Sequence, residues 1–320
     1  MSKVMVVGAG AWGTALAIQA ARAGNRVVLW ARNPATAARI ERERVSPRLP
    51  GHALPDGIRA TGDFDQDCDA ILLVVPMQHL RAVAERLPDA SAPLVVCAKG
   101  VEAGTLCLPL EVLGVVRPGA RSAVLTGPNF AHEVAAGLPA AAVVAGSDAA
   151  TRDAIAGLLG TPGFRLYGND DPVGAQLGGA AKNVVAIAAG AVIGAGLGEN
   201  ARAALITRAL AEISRLARAL GGRPETVMGL SGLGDLLLTC TGPASRNFSL
   251  GLALGQGRAL SDILAERSAV TEGVATAPAL VARAADVELP ICAAVAELLA
   301  GRTSLAQAIA NLLARPRRNE

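Results

Sequence analysis

Lysine is scarce in this chain, which makes each one informative. The 320 residues hold 30 Lys and Arg, and only Lys3, Lys99 and Lys182 among them are lysine. A surface covered by arginine gives no general reason for a lysine in an apolar, glycine-rich stretch. Lys3 lies beside the chain start. Lys182 sits in Gly178-Gly179-Ala180-Ala181-Lys182-Asn183-Val184-Val185, where small and apolar neighbours on both sides predict burial. Desolvation penalises the ammonium form and makes such a lysine a feasible acid or base near neutral pH. Reduction of a ketone by hydride needs one proton delivered to the forming alkoxide. An ammonium can deliver it and stabilise the developing negative charge. The competing reading is a lysine that snorkels out of an apolar helix.

Three other places have residue types suited to the same chemistry. Lys99 and Gly100 follow the apolar run Leu94–Ala98, where a strand of a parallel sheet would present its carboxyl end to a ligand. Lys99 there suits a phosphate or carbonyl oxygen; the alternative is a surface lysine at a strand end. Asp235, in Gly232-Leu233-Gly234-Asp235-Leu236-Leu237-Leu238-Thr239, is a single carboxylate between glycines and an apolar run. It suits a substrate hydroxyl or the orientation of Lys182; the alternative is a helix N-cap. Ser245-Arg246-Asn247 places a hydroxyl, a guanidinium and an amide at a predicted helix start, a good anion seat. The alternative is a serine cap beside a solvated arginine. His52, His79 and His132 lack ligand spacing, so no metal is expected, and Ser231 is in no GxSxG elbow.

These residues need elements to position them. Val4–Val7, Arg26–Trp30, Ala70–Val75, Pro93–Ala98, Ala123–Thr126 and Ala140–Ala145 are nearly continuous apolar runs, as strands covered on both faces require. Helical patterns intervene at Trp12–Ala23, Met77–Leu87 and Asn129–Ala136. The alternation predicts a doubly wound parallel sheet. From about Asp170 the periodicity becomes helical, over 173–197, 200–220, 246–256, 272–285, 291–300 and 303–314, with Pro224, Pro243, Pro278 and Pro290 placed near helix starts. The expected organisation is a dinucleotide-binding α/β domain over 1–174 and an all-α domain over 175–320.

Within the first domain, Gly8-Ala9-Gly10-Ala11-Trp12-Gly13 is GxGxxG directly after a strand and directly before a helix. Gly8 permits the turn, Gly10 lets the backbone approach a pyrophosphate, and Gly13 allows close helix–sheet packing. The helix start offers unpaired N–H groups and a positive dipole end. The second strand ends in Leu29-Trp30-Ala31-Arg32-Asn33, and no acidic residue precedes Glu41. Arg32 occupies the region where an NAD-preferring fold holds a carboxylate for the ribose, and it suits a 2′-phosphate. NADP(H) is therefore favoured, with NAD(H) also in reach. The alternative is a solvated loop arginine.

Composition excludes other classes. The chain is 52% hydrophobic and 18% charged, too apolar for disorder. A net charge of +3, with a basic run only at Arg315, Arg317 and Arg318, and 2% aromatic residues argue against nucleic-acid binding. Five scattered cysteines without a CxxC pair fit a reducing compartment. No signal peptide is expected. The uncharged stretch Val184–Gly198 is short for a bilayer span and reads as a buried helix.

Taken together, the motifs resemble one family, the bacterial type of NAD(P)-dependent glycerol-3-phosphate dehydrogenase. The resemblance covers nearly the whole length. It rests on GAGAWGTALA (8–17), VVLWARNP (27–34), AILLVVP (70–76), AKG (98–100), TGPNFAHEVAAGLP (126–139), QLGGAAKNVVAIAAG (176–190), NARAALITRALAE (200–212), GLSGLGDLLLTCT (229–241), SRN (245–247) and TEG (271–273). It implies reversible reduction of dihydroxyacetone phosphate to sn-glycerol 3-phosphate for phospholipid synthesis, in the cytoplasm, by a homodimer. It further implies that Lys182 is the catalytic acid/base. Lys99, Gly127, Asn129, Lys182, Asn183, Asp235, Ser245, Arg246 and Asn247 would line the substrate, with Thr239 in support. Gly8, Gly10, Ala11, Trp12, Gly13, Arg32, Lys99, Ala131, Arg246, Val270 and Glu272 would hold the cofactor. Ala11 stands where the family commonly has serine, and Asn129 where it has serine or threonine, so a hydroxyl donor is lost or altered at each. Two other readings stay open on the residues alone. One is a sibling dehydrogenase of the same architecture acting on a carboxylate-bearing substrate, such as a hydroxyacid or 6-phosphogluconate type. The other is a sensor that binds NAD(P)H without chemistry.

Overall fold

The computed structural model describes residues 1–89, 91–267 and 270–316; Arg317 and Arg318 of the basic run lie outside the described residues. Its contacts divide the chain into two compact units. One comprises Met1–Lys99 and Cys107–Gln176, the other Gly100–Leu106 and Leu177–Glu320.

The first unit is an eight-stranded sheet. Its strands are β1 (Lys3–Val7), β2 (Arg26–Trp30), β3 (Ile58–Thr61), β4 (Ala70–Leu73), β5 (Leu94–Val96), β6 (Ser122–Thr126), β7 (Ala140–Ala145) and β8 (Phe164–Asn169). The helices are α1 (Ala11–Arg22), α2 (Pro34–Glu43), α3 (Leu80–Glu85), α4 (Pro109–Val116), α5 (Ala131–Ala136) and α6 (Ala149–Leu159), with a 3₁₀ turn at Met77–His79. The spatial order is β3-β2-β1-β4-β5-β6-β7-β8. Its first six positions follow the doubly wound dinucleotide-binding pattern, which places ligands at the carboxyl ends of the strands. The six strands expected from apolar runs are present. The two that escaped the sequence reading, β3 and β8, are the edges of the sheet. Their burial is broken rather than continuous, because an edge strand is not covered all round.

The sheet also departs from the expected all-parallel arrangement. β7 runs antiparallel to β6 and parallel to β8. The link from β6 to β7 carries only the six-residue α5, which packs on α1. A parallel return needs a longer crossover, usually a full helix laid across the sheet. The apolar runs of β1, β2, β4 and β6 supply the core, where Val4, Val6, Leu29, Leu72 and Leu125 are buried with Leu16 and Ala20 of α1.

The second unit is helical: α7 (Pro172–Gly194, whose first turn counts with the other unit), α8 (Gly198–Ala219), α9 (Pro224–Val227), α10 (Asp235–Cys240), α11 (Arg246–Gly255), α12 (Leu260–Ala265), α13 (Glu272–Ala284), α14 (Pro290–Leu299) and α15 (Leu305–Leu313), with a π turn at Leu230–Gly234. Pro224 and Pro290 stand in the first turn of their helices, but Pro278 lies in the middle of α13 rather than near its start as expected. The predicted buried helix is α7. It is long and apolar enough to cross a membrane, yet 83% of its apolar window is buried within the protein.

Helices α7 and α11 are in backbone contact. A Cβ on Gly190 would lie 2.0 Å from the Phe248 carbonyl oxygen, and one on Gly194 2.2 Å from that of Leu252. From the other side, a Cβ on Gly251 would lie 1.9 Å from the Ile187 oxygen, and one on Gly255 2.4 Å from that of Ala191. Glycines four residues apart share a helix face, so each helix presents a smooth strip to the other. A second buried interaction ties α8 to α14. The Glu212 carboxylate, 2% exposed, accepts the backbone N–H of Ile291 at 2.8 Å and of Cys292 at 3.4 Å, at the positive end of α14.

Two outcomes follow from this packing. Gly251→Ala overpacks the crossing and is expected to cost about 1–3 kcal/mol in chemical denaturation. Gly157→Ala, in α6 with nothing within 4 Å of the added methyl, is expected instead to stabilise by about 0.5–1 kcal/mol. Equal effects at the two sites would refute the crossing argument. For Glu212, burial pushes the carboxyl from its ordinary 4.5 up to about 7, against the pull of the two N–H donors and Arg215. Between these values the folded chain holds a proton that the unfolded chain has released. The contribution is therefore full at pH below about 4.5 and declines as pH rises through about 7. Glu212→Gln removes this titration, so the fall in melting temperature from acidic to mildly alkaline buffer is expected to be smaller in the variant than in the parent.

Candidate functional site

In the first unit the glycine turn has the geometry its sequence implies. Gly8 has φ +125°, and a Cβ there would lie 2.3 Å from the Val74 carbonyl oxygen. A Cβ on Gly13 would lie 1.7 Å from the oxygen of Gly8, so these two glycines are required by the protein's own packing. Gly10 differs. It is the N-cap of α1, with φ −71° and ψ 177°, and an added Cβ would meet nothing within 4 Å. Neither backbone nor packing demands glycine there, and the space in front of the turn is open. Ala11 and Trp12 open α1, and Trp12 packs against the core beneath it.

Arg32 follows β2 and is exposed; among the described residues it makes no hydrogen bond or ion pair. The first acidic residue after the turn, Glu41, is engaged elsewhere. Its Oε2 accepts the Ala60 N–H at 2.6 Å and faces Arg44 at 3.3 Å.

At the carboxyl ends of β5 and β6, Lys99 Nζ donates to the Gly127 carbonyl at 3.1 Å. Asn129 Nδ2 donates to the Ala141 carbonyl at 2.9 Å, and its buried Oδ1 has no hydrogen-bond partner among the described residues. Gly127 has φ +134°, and a Cβ on it would lie 3.1 Å from the Ala142 Cα. The fold thus gathers Lys99, Gly127 and Asn129, with Ala131 opening α5 just after them. Burial pushes the Cys97 thiol, two residues before Lys99, up to about 12, so it stays protonated at neutral pH.

The second unit brings Lys182 and Asp235 together across 53 residues of sequence. Lys182 Nζ donates to Asp235 Oδ1 at 2.5 Å. Lys182 is 9% exposed and Asp235 0%. The lysine is therefore buried beside its counter-charge rather than snorkelling into solvent, and the aspartate is not a cap; it is the first residue of α10, after Gly234. Thr239 Oγ1 donates to the Asp235 carbonyl at 2.6 Å and lies 3.4 Å from its Oδ1. Truncating one partner would leave the other charge buried and unpaired. Cys240 is close by, but burial pushes its thiol up to about 12, so it stays protonated at neutral pH.

The glycines around Lys182 are structural. A Cβ on Gly178 would lie 2.7 Å from the Ser231 oxygen, and one on Gly232 1.9 Å from that of Val227. Gly178 lets the π turn before Asp235 settle onto α7 one turn before the lysine, and Gly232 lets that turn pack on the end of α9.

Ser245, Arg246 and Asn247 begin α11. Ser245 is the N-cap, its hydroxyl accepting the Phe248 N–H at 3.2 Å. Arg246 Nη1 donates to the Val270 carbonyl at 2.9 Å, which links two residues of the expected cofactor set. Glu272 opens α13 two residues on. Asn247 Nδ2 donates to Asn183 Oδ1 at 2.8 Å. Sequence reasoning missed Arg267, whose Nη1 donates to the Arg246 carbonyl at 2.7 Å. Burial first, then the nearby Arg246 and Arg258, hold the Arg267 guanidinium below its ordinary value, against the pull of Glu266. An isolated arginine after Glu266 carries no sequence signal for this.

Known proteins share both units. The model of the NAD-dependent glycerol-3-phosphate dehydrogenase N-terminus matches residues 3–152, and that of the C-terminus matches 171–310. The chain is 54% identical over 318 residues to a glycerol-3-phosphate dehydrogenase [NAD(P)+] of Gluconobacter oxydans, covering 98% of this chain and 97% of the relative. It is 54% identical over 326 residues to one of Caulobacter vibrioides, covering 99% and 98%. The crystal structure of glycerol-3-phosphate dehydrogenase from Coxiella burnetii superposes with a TM-score of 0.94 at 37% identity, covering 98% of this chain and 99% of that one. With both units matched in order and curated relatives similar over nearly their full length, this chain belongs to the NAD-dependent glycerol-3-phosphate dehydrogenase family.

Proposed function

We propose that this oxidoreductase reduces dihydroxyacetone phosphate to sn-glycerol 3-phosphate, reversibly, with Lys182 as the proton donor. The observation that carries the reading is the buried Lys182–Asp235 pair at 2.5 Å. A bound nicotinamide supplies the hydride. Lys182 supplies the proton to the carbonyl oxygen as it becomes an alkoxide, and its ammonium offsets the charge developing there. Asp235 neutralises the ammonium in its apolar surroundings and aims Nζ, while Thr239 holds the carboxylate turn in place. In the oxidative direction Lys182 takes the proton back.

Substrate phosphate is assigned to the positive start of α11. Arg246 provides a guanidinium fork, with Ser245 and Asn247 beside it and the α11 dipole behind. Lys99, Gly127, Asn129 and Asn183 complete the substrate set. The dinucleotide is assigned to Gly8, Gly10, Ala11, Trp12 and Gly13, with Ala131, Arg246, Val270 and Glu272. The open space at Gly10 supports a pyrophosphate against the turn. The exposed Arg32 and the engagement of Glu41 with Ala60 support a preference for the 2′-phosphate of NADPH over NADH. The resemblance adds a cytoplasmic homodimer working in phospholipid synthesis.

The direct test supplies dihydroxyacetone phosphate as sole acceptor and follows loss of reduced-nicotinamide absorbance with NADPH and with NADH. Saturable oxidation is expected, faster at low cofactor with NADPH. No turnover with intact NADPH binding would reject the reading in favour of a sibling dehydrogenase or a sensor. Lys182→Ala is expected to lower kcat by at least about 100-fold while NADPH binding stays within a few-fold. Near-normal turnover would remove Lys182 from the reaction. Arg32→Glu is expected to weaken NADPH more than NADH, and equal losses would dismiss the 2′-phosphate role.

A further inference from the structure

Asn183 and Asn247 are 6% and 7% exposed, and their amides form a directed chain. The backbone N–H of Gly273 donates to Asn247 Oδ1 at 3.0 Å, and Asn247 Nδ2 donates to Asn183 Oδ1 at 2.8 Å. A side-chain amide can turn over and exchange its oxygen for its nitrogen, but a peptide N–H can only donate. Gly273 therefore requires the oxygen of Asn247 on its side. Asn247 must then offer its NH₂ to Asn183, and Asn183 must answer with its oxygen. The Asn183 NH₂ is left pointing away from the chain, and among the described residues it makes no hydrogen bond.

Gly273 is shaped for this role. A Cβ on it would lie 2.7 Å from Asn247 Oδ1, 2.7 Å from the Asn183 carbonyl oxygen and 2.8 Å from Ile187 Cδ1. Only glycine brings a peptide N–H this close to both asparagines. This gives a physical reason for the last residue of the Thr271-Glu272-Gly273 motif, which the functional assignment leaves without a task.

We propose that Gly273 sets the polarity of Asn183 through Asn247, so that Asn183 presents an N–H donor, not a carbonyl acceptor, to a substrate oxygen beside Lys182. The inference rests on the reading that Lys182 acts on a carbonyl. Next to that carbonyl a donor stabilises the forming alkoxide, whereas an acceptor repels it. Asn247 and Gly273 are positioning residues, acting through Asn183.

The test compares Asn247→Asp with Asn247→Leu in the full chain. The aspartate keeps an oxygen for Gly273 but has no donor for Asn183, whose amide then turns over and aims its oxygen at the substrate. The leucine cuts the chain and leaves Asn183 able to adopt either orientation. We expect Asn247→Asp to lose about 100-fold in kcat at saturating dihydroxyacetone phosphate, more than Asn247→Leu, with the Kd for NADPH within about three-fold of the parent. The variant-to-parent ratio of kcat should recover as pH is lowered, because a protonated aspartate regains a donor. A merely structural role predicts the opposite order, with aspartate milder because it retains the Gly273 bond, and that order would overturn the proposal. A loss in KM and Kd without a loss in kcat would overturn it as well, marking a charge effect on binding. Asn183→Asp makes the same reversal without disturbing Gly273 and serves if Asn247→Asp does not fold. A parent enzyme that fails to turn over dihydroxyacetone phosphate defeats the underlying reading; an active parent with the wrong order of variants defeats only the relay.

Discussion

The helical unit depends on how closely other backbone segments approach α7. At Gly190, Gly194, Gly251 and Gly255, and again at Gly178 and Gly273, a single methyl would enter another backbone or its polar partner. Contact at this range leaves neighbouring side chains little room for adjustment, as in any densely packed interior. It also explains how an apolar 23-residue helix serves a protein interior. Covered by α11, by the π turn and by the start of α13, α7 becomes a rigid rod on which two adjacent residues, Lys182 and Asn183, carry the polar chemistry.

That rigidity bears on the electrostatics. Burying an ammonium or an amide without partners is costly. The lysine meets Asp235, whose carbonyl and Oδ1 lie 2.6 and 3.4 Å from the Thr239 hydroxyl. The amide meets Asn247, anchored by Gly273. Neither partner is a neighbour in sequence, and both stand at or near the beginning of a helix that touches α7. A small displacement of α10 or α11 would therefore strand a buried polar group, so packing and polar satisfaction reinforce each other. Glu212 repeats the arrangement elsewhere in the unit, a buried carboxylate serving as the cap of a distant helix.

The first unit solves a simpler problem. Its apolar strands build a sheet from ordinary hydrophobic burial, and Lys99, Gly127 and Asn129 gather where strands end. Gly8 and Gly13 are glycine because the chain itself allows nothing else, while Gly10 is glycine toward open space. The contrast separates the scaffold of the glycine turn from its open position within six residues.

The sequence by itself determined the elements with uniform surroundings. Continuous apolar runs marked the central strands, the GxGxxG placed the phosphate turn, and the scarcity of lysine directed attention to Lys99 and Lys182. The long helices of the second half were legible from their period. Edge strands β3 and β8 were not, because half-exposed strands lack the continuous run, and the reversal of β7 was not, because direction leaves no trace in composition. Only the tertiary structure decided partnerships: Asp235 for Lys182, Val270 for Arg246, Gly273 and Asn247 for Asn183, Glu212 for α14. Each pair is separated by 24 or more residues. A side chain's type reveals that it needs a partner when buried, but which partner it meets depends on how the helices cross, and that is set by the glycines where their backbones touch.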